Sequence, residues 1–183
     1  MSREITVDGA SALFDRTRML YKEFPSDFRQ IRYFALLIAQ NAPPEIRDIN
    51  LLEQQVSELI KNAVKHGNRL NPEKRVKVWY LFTRIEARLI VEDEGEGFRD
   101  LERWNEFNRR RIESFASHDF DELARWVAFR TERSDESDGG NALFAALEYW
   151  NGGLVFNEGR NGVAVAKRWL AERPSSGEAG VGA

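Results

Sequence analysis

The chain has 183 residues, a formal net charge of −3, 42% hydrophobic and 31% charged residues, and no cysteine. That balance is expected of one soluble globular domain with room for a core, and the slight negative charge argues against general nucleic-acid affinity. Disulfide frameworks, thiolate metal sites and cysteine nucleophiles are excluded; no apolar run approaches the ~20 residues of a membrane span and MSREITVDGA has no signal-peptide core, so a cytoplasmic location is expected.

In chain order, 4–7 (EITV) and 17–24 (TRMLYKEF) read as short strands, with Pro25 closing the second. Ser26 is placed to cap a helix over 27–41 whose apolar face carries Phe28, Ile31, Phe34, Ala35 and Ile38, and Asn41-Ala-Pro-Pro breaks it. A second helix is predicted from about Glu45 to His66, with Ile49, Leu52, Val56, Leu59, Ile60 and Ala63 as its core stripe and Gly67 as its stop. Residues 76–82 and 87–92 read as a hairpin, the second strand apolar almost throughout as for a strand buried on both faces. Residues 99–138 are rich in Arg, Glu and Asp. Phe98, Leu101 and Trp104 suggest a helix, Phe120, Leu123, Trp126 and Val127 a short amphipathic piece, and ERSDESDGG a loop. A helix over 141–150, a strand over 154–157, a turn at 158–162 and a strand over 163–169 complete a domain of residues 1–172, ahead of a tail, 173–183, expected to be disordered. Strands in hairpins with helices between them predict an α+β fold: a two-layer sandwich in which helices cover one face of a mixed, mostly antiparallel sheet.

Two motifs carry chemistry. In SELIKNAVKHGN, 57–68, Glu58 and Asn62 are four apart and stack on one helical face, and Lys65 and His66 continue the stripe. The core residues point elsewhere, so this side faces solvent or a pocket. In VEDEGEGF, 91–98, Gly95 and Gly97 follow a buried strand directly, a spacing that lets backbone approach a ligand, and Asp93 sits where a carboxylate can accept from a buried amine.

Together, and in this order, the motifs resemble the ATP-binding superfamily of gyrase, the heat-shock-90 chaperone, histidine kinases and mismatch-repair ATPases (the GHKL or Bergerat fold). Within it, FPSDFRQIRYF at 24–34 followed by EQQVSELIKNAVKHGN at 53–68 is similar to the bacterial anti-sigma-factor serine kinases, over roughly 15–98 and again more weakly over 138–169. The resemblance implies ATP and Mg²⁺. It implies Glu58 as general base toward an attacking hydroxyl, Asn62 as the amide ligand of Mg²⁺, Lys65 or His66 near phosphate or ribose, Asp93 as acceptor for the adenine amino group, and Gly95 and Gly97 as the turn beside the base. The second glycine motif falls at Gly139-Gly140-Asn141, where backbone amides before a helix would hold phosphate. It implies a serine/threonine kinase that phosphorylates a small antagonist protein and regulates a sigma factor by partner switching, with a homodimer plausible and no direct nucleic-acid or membrane partner.

Three departures define the alternative, a partner-switching module of the same fold that binds nucleotide weakly or not at all. Ala142 stands where the family's second glycine falls; Gly162-Val163-Ala164 lacks the family's threonine; and 99–138 is longer than the lid of a small kinase. In that lid Arg109, Arg110 and Arg111 either reach phosphates or form a solvated run, and Trp104, Phe107 and Trp126 either anchor a partner or pack in the core.

Overall fold

The computed structural model describes residues 4–118, 120–130 and 141–169. Spacing of apolar residues builds the helical layer. Ile31, Phe34, Ala35 and Ile38 line one side of α1 (Ile31–Ala39), and Leu52, Val56, Leu59 and Ile60 line α2 (Ile49–Asn62); all are buried. The two helices pack on each other and on the sheet, burying a shared apolar seam, the main driving force for the layer.

The sheet has six strands in the order β1-β5-β6-β4-β3-β2: β1 (Thr6–Val7), β2 (Leu20–Pro25), β3 (Arg75–Phe82), β4 (Glu86–Glu92), β5 (Gly153–Phe156) and β6 (Gly162–Arg168). Every pairing is antiparallel except β1 on β5, so the sheet is mixed and the protein is an α+β sandwich as the pattern predicts. Val76, Val78, Tyr80, Leu89, Val91, Val163 and Val165 face the helices and join their core. Helices α3 (Leu101–Ser117), α4 (Phe120–Arg125) and α5 (Ala142–Tyr149) follow, and Leu101, Trp104, Phe144 and Leu147 join the same core as α1 and α2. Among the described residues no helix is long and apolar enough to cross a membrane.

The opposite face of the sheet is covered by a strap. β1 and β2 lie on opposite edges, so the chain between them crosses the back of the sheet. There Leu13 abuts Gly153, Arg88 donates to the carbonyls of Ala12 and Asp15 (both 2.8 Å), and Arg16 stacks 3.7 Å over the Trp79 ring while pairing with Glu92. Ile90, Ala164 and Ala166 are thereby fully buried on that face. This explains why β4 reads as apolar on both sides.

Several boundaries differ from the sequence reading. The strand expected at 4–7 pairs only over Thr6–Val7, and residues 17–19 form a turn with Arg18 at φ 63° before β2 begins at Leu20. Ser26 does not cap: it is buried and accepts from Asn68, while Asp27 accepts from the Arg29 N–H (3.0 Å) and caps a 3-10 turn at Phe28–Gln30 that leaves Phe28 exposed. α2 starts at Ile49 rather than Glu45; Asp48 is its N-cap residue but makes no side-chain capping bond, its carboxylate accepting instead from the Trp169 indole N–H (2.9 Å). It ends at Asn62, and a wider π turn, Ala63–Gly67, replaces its last α-helical turn. The predicted tail lies outside the described residues.

Candidate functional site

α2 and its π turn form one wall of a cavity of about 450 Å³. Glu58, Asn62 and His66, four residues apart, all line it, so the polar stripe faces a pocket and not solvent. Lys65 is not among the lining residues; the π turn brings His66 and Gly67 to the wall instead. The facing wall comes from the ends of the central strands: Asp93 and Gly97 after β4, and Asn161 and Val163 at β6. Asn141 and Ala142, at the start of α5, complete the lining together with Trp104 and Phe129. Gly139 and Gly140 lie outside the described residues.

Asp93 is the most constrained group. Its Oδ1 accepts from the Gly95 N–H (2.8 Å). Burial pushes its carboxyl up to about 6, opposed in part by that hydrogen bond and by the charge of Lys74. The turn that carries it needs both glycines. A Cβ on Gly95 would overlap the Gly67 carbonyl oxygen at the end of the π turn, and Gly97 adopts φ +83° against the Gly159 carbonyl. Gly95 therefore acts through close approach and does not line the cavity.

Side-chain amides fix this turn from both sides. Asn68, fully buried, donates to Ser26 Oγ (2.7 Å) and the Arg75 carbonyl (2.8 Å) and accepts from the Glu94 N–H (2.8 Å). Asn161 donates to the Asp93 carbonyl (2.8 Å), and its own carbonyl accepts from the Asp93 N–H (2.9 Å). Sequence patterning did not single out Asn68 or Asn161. A polar residue straight after a helix-ending glycine reads as a turn, and only the tertiary contact shows its three partners.

Among the described residues three cations line the cavity or its rim. Arg99 pairs with Glu96 (2.6 Å), and Arg160 pairs with both carboxylate oxygens of Glu102 (3.1 and 2.5 Å). Lys61 is the third, with Nζ 3.5 Å from Glu58 Oε2. Of the three arginines in the lid run, Arg109 and Arg110 pair with Glu106 on the exposed side of α3, and Arg111 stacks 4.1 Å over the Phe144 ring. Trp104, 1% exposed, packs on Phe144, and Phe107 contacts Trp126, Phe129 and Phe144, so these aromatics serve the core of the lid region.

Outside the cavity, Gln54 and Glu58 also border a shallow groove between α1 and α2, with Arg32, Asn50, Glu53 and Ser57. Glu58 is thus reachable from two sides. Among the described residues no group of three or more His, Asp or Glu is arranged to hold a metal on its own. The Asn62 amide is a hard, neutral oxygen donor of the kind Mg²⁺ accepts alongside phosphate and water. Compared with protein-family models and with curated proteins, the chain has no match.

Proposed function

We propose that the protein is an ATP-dependent serine/threonine protein kinase of the anti-sigma-factor type, built on the GHKL fold, that phosphorylates a small antagonist protein and thereby governs a sigma factor. The observation that carries this reading is the convergence on one cavity of Glu58, Asn62 and His66 from α2, Asp93 and Gly97 from the end of β4, and Asn141 from the start of α5. In this reading adenine lies at the Asp93 end, where a buried carboxylate accepts its amino group, and the phosphates lie toward Glu58.

Asn62 would hold Mg²⁺ together with the phosphates, and the metal would offset charge on them. Glu58 takes the proton of the acceptor hydroxyl as that oxygen bonds to the γ-phosphorus. The bond from phosphorus to the bridging oxygen breaks, its electron pair staying with ADP. Such a transfer needs positioning and charge more than covalent chemistry from protein. The α1–α2 groove supports a protein acceptor, since it opens on Glu58 from outside a cavity filled by nucleotide.

Calorimetric titration of the purified protein with magnesium ATP tests the reading. Binding that is lost in Asn62→Ala, together with Glu58→Gln retaining binding but losing transfer to a serine acceptor, supports it. No heat at millimolar nucleotide overturns it in favour of a module that uses the fold for protein contacts alone. Two observations would favour that module: the methyl of Ala142 and the apolar Val163 both line the cavity where the family places glycine and threonine.

A further inference from the structure

We propose that Lys61 contacts the terminal phosphate of the bound nucleotide and, in doing so, exchanges out of its ion pair and leaves Glu58 to serve as base; this rests on the nucleotide reading of the cavity. The lysine immediately precedes Asn62, and both side chains line the same wall. Its ammonium lies 3.5 Å from Glu58 Oε2, with 27% of the lysine side chain and 33% of the glutamate exposed, so the pair sits in the cavity wall and not on the outer face of α2.

The other paired cations of the cavity are held differently. Arg160 makes two hydrogen bonds to Glu102, and Arg99 is tied to Glu96, which also takes Arg69 (2.7 Å). A planar bidentate pair such as that of Arg160 resists exchange, whereas the Arg99–Glu96 pair stands on the solvent rim, its side chains 60% and 52% exposed. The Arg160 backbone also lies beside Gly97, in the turn that follows Asp93. Lys61 has a single contact at the outer limit of hydrogen bonding, on a four-carbon stem with free rotors. A lone, partly exposed lysine–carboxylate pair is weak. A phosphate carrying more than one negative charge competes with it effectively, and the ammonium acts there as a point charge.

The exchange also answers an electrostatic difficulty. A carboxylate base beside a polyphosphate meets like charge, and an ammonium moved onto the phosphate offsets part of that charge. In the absence of nucleotide the Lys61 pair occupies one Glu58 oxygen, so base and phosphate anchor become available together.

The test compares affinity for magnesium ATP and magnesium ADP by calorimetry, in the wild type, Lys61→Met, Lys61→Gln and Lys61→Arg, each checked for a cooperative thermal transition. The expected result is a roughly tenfold loss of ATP affinity in Lys61→Met and Lys61→Gln, as for one charge-assisted contact, with ADP affinity changed less than about twofold and most of the difference restored in Lys61→Arg. An ATP-to-ADP affinity ratio unchanged in both neutral variants, while both nucleotides bind, overturns the role of Lys61 and leaves the kinase reading standing. A wild type that binds neither nucleotide overturns both.

Discussion

The Asp93 wall of the cavity and the side that α3 adds to it, which carries Trp104 and Phe129, are held by different physics. The Asp93 wall is fixed by directional contacts: Asn68 and Asn161 reach into its backbone, and Gly95 packs on the Gly67 carbonyl with no space for a methyl. The α3 wall is fixed by rings. Phe107 sits between Trp126, Phe129 and Phe144 at centroid distances of 5.1 to 5.9 Å, while Glu106 and Arg110 pair in solvent. Buried hydrogen bonds specify one geometry and penalise departures from it. Ring packing is less directional and tolerates small displacements of the whole element. The group needing exact placement, a half-buried carboxylate, stands on the specified wall, and the rings at Trp104 and Phe129 line the adaptable one.

The largest expected effect breaks the specified wall outright. Gly95→Ala drives a methyl into backbone that has nowhere to move, and should cost about 3 kcal/mol or more and abolish nucleotide binding; chemical denaturation and the magnesium ATP titration measure the two losses. A Gly95→Ala protein as stable as the wild type would show that the turn yields. Next, the walls can be set against each other at matched cost. Asn68→Ala strands a buried hydroxyl and the Glu94 N–H and should destabilise by about 2–3 kcal/mol. Phe107→Ala, at a half-buried ring, should cost a similar ~2–3 kcal/mol. Their effects on binding should differ: about tenfold or more weaker for Asn68→Ala and within about threefold of wild type for Phe107→Ala, since only the first moves Asp93. Equal losses of affinity would mean that the α3 wall specifies the site as tightly as the other.

Much of this architecture is legible from local pattern. The α2 core stripe, the apolar run of β4, the last hairpin and the alternating glycines after Glu94 each follow from a short period or a single turn requirement, and the fold class follows from their order. What is not legible depends on long-range contact. The strap across the sheet has no periodicity of its own, and its partners Arg88, Trp79 and Gly153 are about 60 to 140 residues away in sequence. β1 pairs over two residues, too few for a pattern, and its parallel partner β5 is nearly the whole chain away. The π turn at Ala63–Gly67 has no sequence signature, yet it decides that His66 and not Lys65 faces the cavity. Lys61 is not legible because a lysine three residues after a glutamate reads as an ordinary solvated helix pair, and only the cavity distinguishes it.

The smallest effect tests the specified wall by pH. Burial holds the Asp93 carboxyl at about 6 in the folded protein, above the ordinary ~4 of an unfolded aspartate. A raised carboxyl pKa stabilises the fold fully below the unfolded value, and that contribution is lost as pH rises through about 6. Asp93→Asn keeps the shape and removes the charge, so the wild type should lose stability relative to this variant between about pH 4 and 6, and the gap should be flat above. A ligand amine donating to Asp93 has the opposite demand, because it favours the ionised form. Nucleotide binding near pH 5 should therefore release a proton that Asp93→Asn does not release, and wild-type affinity should climb toward pH 7 by more than the titration of the phosphates accounts for in the variant. Titrations in two buffers of different ionisation enthalpy count that proton. Identical counts for wild type and Asp93→Asn would separate the carboxylate from the base of the bound nucleotide, and with it the reason for building one wall so rigidly.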